Sequence, residues 1–469
     1  MKRKLLAIAL VLSMTLSGCS FIGLDPQQLM NPPRPTGEKA EIHALLEAEG
    51  GENMSLEYPA RGEYRSAIIM HNITGGSEAD AIAFYQKGDE IGGTNIVLLS
   101  KRDGNWVKMG SFNNAATQVD KICFGDVDGD GKDEAVVGWG SNLSSTSLYV
   151  YGMKDGKMQE TKLEQSYSEM TVMDFTGDGY SEIFTANVTV GDQDAFARLI
   201  RIRNDGIELL GEAPLDIGVT RYVSISAGLI NATQKGVVLD GSKGTNQIVT
   251  EVLYWDQDDA KNNSEKTNVS GTGKLVSPFF DKKTKMVTAT QRSTSVVSMD
   301  INNDTIIEIP IVTLLPSYTT PSRDDTCYLT NWHRYDTQNN NLVRSMSMVL
   351  SYTYGYWFLV PDIWLGNVTT EMDAQTRTLT FLEWKASASG TTGGNKNALG
   401  EAGDALLRIR VFSADEWAFS GEESEYIKLL DFNNLVYAAQ IPNKDNPLSL
   451  SEEDVRSGFK LFNTELTGG

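Results

Sequence analysis

Short apolar runs recur along this chain, each introduced by a polar loop of the same pattern. Ala135, Val136, Val137, Gly138 and Trp139 follow a loop with Asp126, Asp128, Asp130 and Glu134 at alternate or near-alternate places. Ile183 and Phe184 follow Asp174, Thr176, Asp178 and Glu182, and Ile309 to Val312 follow Asp300, Asn302, Asp304 and Glu308. Apolar, β-branched runs of this length, bounded by Gly and Asp, predict strands rather than helices. Two weaker copies keep the register with the acidic residues eroded: Asn72 to Asp80 leads into Ala81–Tyr85, and Gly228 to Gly236 leads into Val237–Leu239. Between the first two copies, Asn95–Leu99 and Trp106–Met109 flank Arg102, Asp103, Gly104 and Asn105, where Asp-Gly predicts a tight hairpin.

Oxygen ligands at the first, third, fifth and ninth places of a tight loop, with a backbone carbonyl at the seventh, suit a hard cation such as calcium. The expected ligands are Asp126, Asp128, Asp130, Lys132 (carbonyl) and Glu134; Asp174, Thr176, Asp178, Tyr180 (carbonyl) and Glu182; and Asp300, Asn302, Asp304, Ile306 (carbonyl) and Glu308. A helix-loop-helix calcium hand requires a bidentate Glu at the twelfth place. Here that place holds Val137, Thr185 and Ile311, so the loops are of another kind. The starts at 72, 126, 174 and 228 recur every 50 residues or so, a period characteristic of propeller blades. These segments resemble the FG-GAP (VCBS) repeats of integrin-α-type β-propellers, in which such a loop joins two strands of a blade. The resemblance covers roughly residues 55 to 315 and implies an all-β propeller of about five to seven blades with structural calcium. The longer step from 228 to 300 implies either a blade without the motif near 270 to 290 or a long interrupting loop.

The chain opens on Lys2, Arg3 and Lys4, then an apolar run from Leu5 to Leu12, the pattern of a secretory leader over residues 1–18. It ends in Leu16, Ser17, Gly18 and Cys19, which resembles the lipobox of bacterial lipoproteins and implies a diacylated Cys19, hence a palmitate-type anchor on the outer face of the cell membrane. Residues 19–37, with Pro32, Pro33 and Pro35, read as an extended tether. A short helix is expected over about Glu38 to Glu49.

The formal charge is −21, and the leader contributes only basic residues, so the remainder is more acidic still. Such a surface repels nucleic acid. Apart from Cys19 there are Cys123 and Cys327; Cys123 lies in the apolar run Ile122–Phe124, where a buried thiol is ordinary, and no pair has zinc-ligand spacing. The three histidines, His43, His71 and His333, are scattered, and no nucleophile elbow, His-Glu-x-x-His or phosphate loop occurs. His333, beside Trp332 and Tyr335, reads as a strand histidine packed among aromatics.

Beyond Asn341 the acidic motif stops. Strands are expected at Thr378–Trp384 and Ala405–Phe412, around a loop from Ser387 to Lys396, and helices at Glu416–Phe419, Glu423–Leu430 and Ser449–Phe462, the last with Ser451 as its cap. Residues 345–469 are thus expected to form a small α+β domain, leaving 38–344 to the propeller and its leading helix. Trp139 and Trp255 are expected in the core, and Tyr352, Tyr354, Tyr356, Trp357 and Trp364 in a buried interface. The expected function is non-enzymatic: a lipid-anchored, extracytoplasmic binding protein or scaffold that meets a protein or cell-envelope glycan. The alternative is a surface hydrolase acting on a glycan or lipid with paired carboxylates in the channel.

Overall fold

The computed structural model describes residues 37–462 except 52, 89–91, 142–143, 204–205, 258–272, 321–324, 387–399 and 422–424. The leader, Cys19, the tether up to residue 36 and the loop from Ser387 lie outside the described residues. Helix α1 (Glu38–Gly50) buries Ile42 and Leu46, one turn apart on one face, and ends at Gly51 with φ 85°.

Everything that follows is dominated by antiparallel sheets. The first holds β1 (Ser55–Glu57), β2 (Ile68–His71), β3 (Asp80–Gln86), β4 (Thr94–Arg102) and β5 (Asn105–Asn114). Its hairpin turn has Asp103 and Gly104 at φ 51° and 81°, as the Asp-Gly pair predicts. The second runs β6 (Gln118–Gly125), β7 (Glu134–Ser141), β8 (Ser144–Lys154), β9 (Lys157–Leu163). The third runs β10 (Glu169–Met173), β11 (Glu182–Asn187), β12 (Phe196–Arg203), β13 (Gly206–Pro214), and the fourth β14 (Val219–Leu229), β15 (Lys235–Lys243), β16 (Gln247–Asp256), β17 (Lys274–Val276). The fifth holds β18 (Ile309–Leu314), β19 (Tyr328–Asp336), β20 (Asn341–Ser351) and β21 (Tyr356–Leu359). The sixth is ordered β22 (Val368–Asp373), β23 (Thr378–Ala386), β24 (Gly400–Ser413), β26 (Leu435–Gln440), β25 (Ile427–Phe432). A last strand, β27 (Phe459–Leu461), follows helix α2 (Glu452–Gly458) and joins the fifth sheet beside β21.

The described chain divides into two compact units, one of residues up to Val119 together with Met153–Gln159, the other of Asp120–Gly152 and Glu160 onward. In the first, α1 packs Ile42 and Leu46 against Ala81, Ala83, Tyr85, Val97 and Leu99 of its sheet. In the second, each sheet shares an apolar core with the next. Val136 and Leu148 of the second sheet meet Met170, Ile183 and Ile200 of the third. Phe184 and Leu199 then meet Leu239, Leu253 and Trp255 of the fourth. Val238 and Val252 meet Ile309 and Tyr335 of the fifth, and Val349, Tyr356 and Phe358 meet Leu379, Phe381 and Ile409 of the sixth.

The expected α+β domain at 345–469 does not hold. Its boundary falls inside β20, which pairs with β19 on one side and β21 on the other. The expected helix at Glu423–Leu430 gives way to β25 from Ile427, because pairing with β26 satisfies its backbone. The last helix shrinks to α2, capped by Ser451 and Asp454, and the apolar residues beyond it become β27. Helix does form at Ala414–Glu416, extended by a wider turn through Gly421. Between the fourth and fifth sheets, residues 277–298 run irregularly; among the described residues no further sheet stands there. Of the aromatics expected in a buried interface, Tyr356 and Trp364 are buried, whereas β20 ends at Ser351 and β21 starts at Tyr356, so Tyr352 and Tyr354 lie in a turn.

Candidate functional site: the acidic loops

The loops before β7 and β11 join the first two strands of their sheets, while the loop before β18 leads into the first strand of the fifth sheet and is closed by the isolated bridge of Met299 with Glu308. In each the backbone must reverse, and only certain residues permit the tight path. In the loop before β7, Gly129 and Gly131 take φ 81° and 86°; before β11, Gly177 and Gly179 take 75° and 95°. Before β18 the same places hold Asn303 and Thr305 at 62° and 75°. A β-branched residue in this region is strained, and Thr305 is held by its N–H donating to Asp300 Oδ2 at 2.7 Å.

Side-chain carboxylates organise these turns. Asp126 accepts from Gly129 N at 2.7 Å and Gly131 N at 3.0 Å, Asp174 accepts from Gly177 N at 2.7 Å, and Asp300 accepts from Asp304 N at 3.0 Å. The fifth-place residues Asp130, Asp178 and Asp304 each accept from the N–H two residues on, that of Lys132, Tyr180 and Ile306. The ninth-place residue has a distinct task. Glu134 Oε2 accepts from Val127 N and Asp128 N, Glu182 Oε2 from Phe175 N and Thr176 N, and Glu308 Oε2 from Ile301 N. Even the eroded first copy keeps this feature, with Asp80 Oδ2 taking Ile73 N at 2.8 Å and Thr74 N at 2.7 Å. All four carboxylates are buried, so they lock the loop to the strand that follows. The copy at 228 lost its ninth-place carboxylate to Gly236 and closes instead around Asn231, whose side chain accepts from Thr233 N and Gln234 N.

The loops of the second unit also touch one another in sequence. Ser181 N donates to Asp126 O at 2.8 Å, Lys235 Nζ reaches Asp174 Oδ2 at 3.2 Å, and Ile307 N donates to Leu229 O at 2.8 Å. They therefore form one continuous, largely polar rim built by successive sheets.

The three strong loops differ in what faces the ninth-place carboxylate. In the hairpin after Glu182, β12 brings Arg201 opposite it: Nε donates to Glu182 Oε1 at 3.0 Å, and Nη2 reaches the same oxygen, Thr176 Oγ1 at 2.7 Å and Asp178 Oδ2 at 2.9 Å. In the fifth sheet β19 brings Arg334 opposite Glu308, with Nε and Nη2 at 2.9 and 2.8 Å from Oε1, and Nη2 bonded also to Asp304. At the loop of Asp126 the corresponding place on β8 is Gly152, so close that an added Cβ would meet Glu134 Cγ at 2.7 Å. There one carboxylate oxygen from each of Asp126, Asp128 and Asp130 lies within 4.8 Å of the others. A nearby cation is Lys132, whose Nζ is 2.6 Å from the outer Asp130 Oδ2. Burial, with the charges of Asp128 and Asp130 adding to it, pushes the Glu134 carboxyl up to about 8, and burial together with Asp130 and Asp126 raises Asp128. Burial raises Glu182 and Glu308 too, but a guanidinium opposes the shift in each.

The donor set before β7, three converging carboxylates on a turn with two glycines, fits a calcium-type cation. The sets before β11 and β18 do not fit one, because an arginine already contacts their fifth- and ninth-place oxygens. Arg201, Arg334 and Gly152 escaped the reading of the sequence, since each lies on the strand that pairs with the one the loop leads into and is joined to the loop by hairpin register. Aligning those partner strands, rather than the loops alone, is the signal that reveals them. His333 is half-buried on β19 with Nδ1 at 2.9 Å from Asn331 O, and burial lowers its pKa. Cys123 and Cys327 are not joined in a disulfide.

No family model matches the chain, and no curated protein does. Among solved structures it is similar to the periplasmic gluconolactonase PpgL of Pseudomonas aeruginosa, at 11% identity and TM-score 0.29 over 76% of this chain and 89% of that one. It is also similar to a Bacillus licheniformis rhamnogalacturonan lyase, at 11% and 0.25 over 82% and 90%, and to the rhamnogalacturonan lyase YesW, at 10% and 0.28 over 86% and 96%. At these scores the likenesses carry no argument about fold or activity.

Proposed function

We propose that this protein is a lipid-anchored, extracytoplasmic β-propeller of FG-GAP type that binds a protein or cell-envelope glycan through its loop rim, with calcium held at the loop of Asp126. The observation that carries the reading is the rim itself: loops from successive sheets, touching in order and rich in carboxylates. Surfaces assembled from several loops on a rigid scaffold suit recognition. The six sheets would be blades, and the shared core between each sheet of the second unit and the next supports that reading. Asp126, Asp128 and Asp130 would hold the ion through side chains, with Lys132 contributing its carbonyl and Glu134 standing behind them. Bound calcium supplies the positive charge that three close carboxylates require and fixes the loop's shape for a partner. The anchor rests on Cys19 and the segment before it.

The test is site-specific photo-crosslinking in cells producing the full chain. A photoreactive phenylalanine analogue at Tyr180, on the rim, is expected to capture a partner from the envelope in calcium and to lose that capture in chelator. The same group at Leu209, exposed on β13, serves as control. Absence of capture at Tyr180, equal capture at both places, or capture unchanged by chelation would overturn the reading.

A further inference from the structure

We infer that Arg201 and Arg334 act as built-in cations that take the place of the metal ion in the loops 174–182 and 300–308, so that these two loops are metal-independent. The argument is a comparison of three loops of one design within a single chain. Each has a first-place Asp, a fifth-place Asp and a ninth-place Glu, with positive φ at the fourth and sixth places and an N–H bond from the second-place residue to the ninth-place carboxylate. They differ at the residue that hairpin register sets opposite that carboxylate: Gly152, Arg201 and Arg334.

The two arginines make several of the contacts that a cation at the loop mouth would make. Arg201 touches the third-, fifth- and ninth-place side chains, Thr176, Asp178 and Glu182. Arg334 touches Asp304 and Glu308, and the third-place Asn302 donates its amide to Glu308 Oε1 at 3.2 Å, an orientation that turns a donor toward the oxygen a metal would claim. At the ligand places both loops also carry one carboxylate fewer than the loop at 126, at the third place, where Asp128 is replaced by Thr176 and Asn302. A guanidinium carries one positive charge and a divalent ion two, so loss of one acidic group keeps the balance. The substitution pattern and the contact pattern thus agree: arginine opposite the ninth place goes with a neutral third place, and glycine with Asp128. Fixed guanidinium forks also lock the loops without a ligand that must be acquired, and they cannot be deprotonated in a protein.

This rests on the proposed calcium site at Asp126 only for its comparison. Metal analysis after dialysis of the full chain against calcium, with terbium luminescence as a second readout, distinguishes the two. One ion per chain is expected, abolished by Asp128→Ala. Arg201→Gly is expected to be less stable in chelator, to recover in millimolar calcium, and to raise the count to two. The recovery should disappear when Glu182→Gln is added. Three ions in the unaltered chain, or two remaining in Asp128→Ala, would overturn the arginine inference and leave calcium at Asp126 standing. No ion in the unaltered chain would overturn the calcium reading; the arginine inference is then decided by Arg201→Gly and, where that chain fails to fold, by Arg334→Gly. If calcium neither binds to nor stabilises those variants, the inference is wrong.

Discussion

Glu251 shows how a single residue sets a pH dependence for a whole sheet. It is fully buried on β16; its Oε2 accepts from Asp216 N at 2.9 Å while Oε1 has no hydrogen-bond partner. Burial pushes its carboxyl up to about 8, the Asp216 charge adds to that, and the Asp216 N–H and Lys243 oppose it. Because the folded-state pKa is raised above the unfolded value, the folded protein holds a proton between about pH 4.5 and 8 that the unfolded chain has released. The contribution of Glu251 to stability therefore falls as pH rises through that window, by up to about tenfold in the folding equilibrium per pH unit. Glu251→Gln keeps the acceptor for Asp216 N and removes the titration. Denaturant unfolding of the two proteins at pH 5 and pH 8 is expected to show Glu251→Gln gaining on the parent as pH rises; a constant difference would refute the assignment.

At the scale of the element, the segment between the fourth and fifth sheets is the informative case. Residues 277–298 lack regular pairing beyond isolated bridges such as Ile248 with Arg292, yet the run is tied down. Arg292 is buried and donates to Asp240 Oδ1 at 2.7 Å, to Thr250 Oγ1 at 2.8 Å and to the carbonyls of Val296 and Thr290. Asp240 in turn accepts from Ser298 N at 2.6 Å. This network takes over the work that strand pairing does elsewhere. Arg292→Met leaves Asp240 buried without its cation and is expected to cost about 3–5 kcal/mol. Urea unfolding checks this, and adding Asp240→Asn should recover part of the loss, since the uncompensated charge is then gone; a loss under about 1 kcal/mol would show that the pair is dispensable.

For the whole molecule, the decisive fact is that no boundary lies near 345. The fifth sheet draws β18 to β21 from one stretch and β27 from the far end, and its inner face shares a core with the sixth. A chain ending at Asn340 would keep only β18 and β19 of the fifth sheet and would strip Trp332 of Met348 and Leu350, and Leu315 of its partners on β20, β21 and the sixth sheet. Calorimetry of that chain is expected to show loss of the cooperative transition of the second unit. A transition of undiminished enthalpy would mean that the last third folds apart from the rest.

Local pattern determined much of this protein. The strand after each acidic loop, the Asp-Gly hairpin between β4 and β5, the leading helix and the caps at Ser413 and Ser451 follow from residues adjacent in sequence, because turn geometry and alternation act over a few residues. The three strong loops were legible for the same reason. What faces those loops was not. Arg201, Arg334 and Gly152 come opposite Glu182, Glu308 and Glu134 through hairpin register, so the difference between a loop that suits a metal and two that already hold a guanidinium belongs to pairing across strands. Likewise, residues 427–430 and 459–461 have helical neighbours in sequence but belong to β25 and β27. Pairing with β26 and β21 supplies their backbone hydrogen bonds, and that long-range compensation outweighs local propensity.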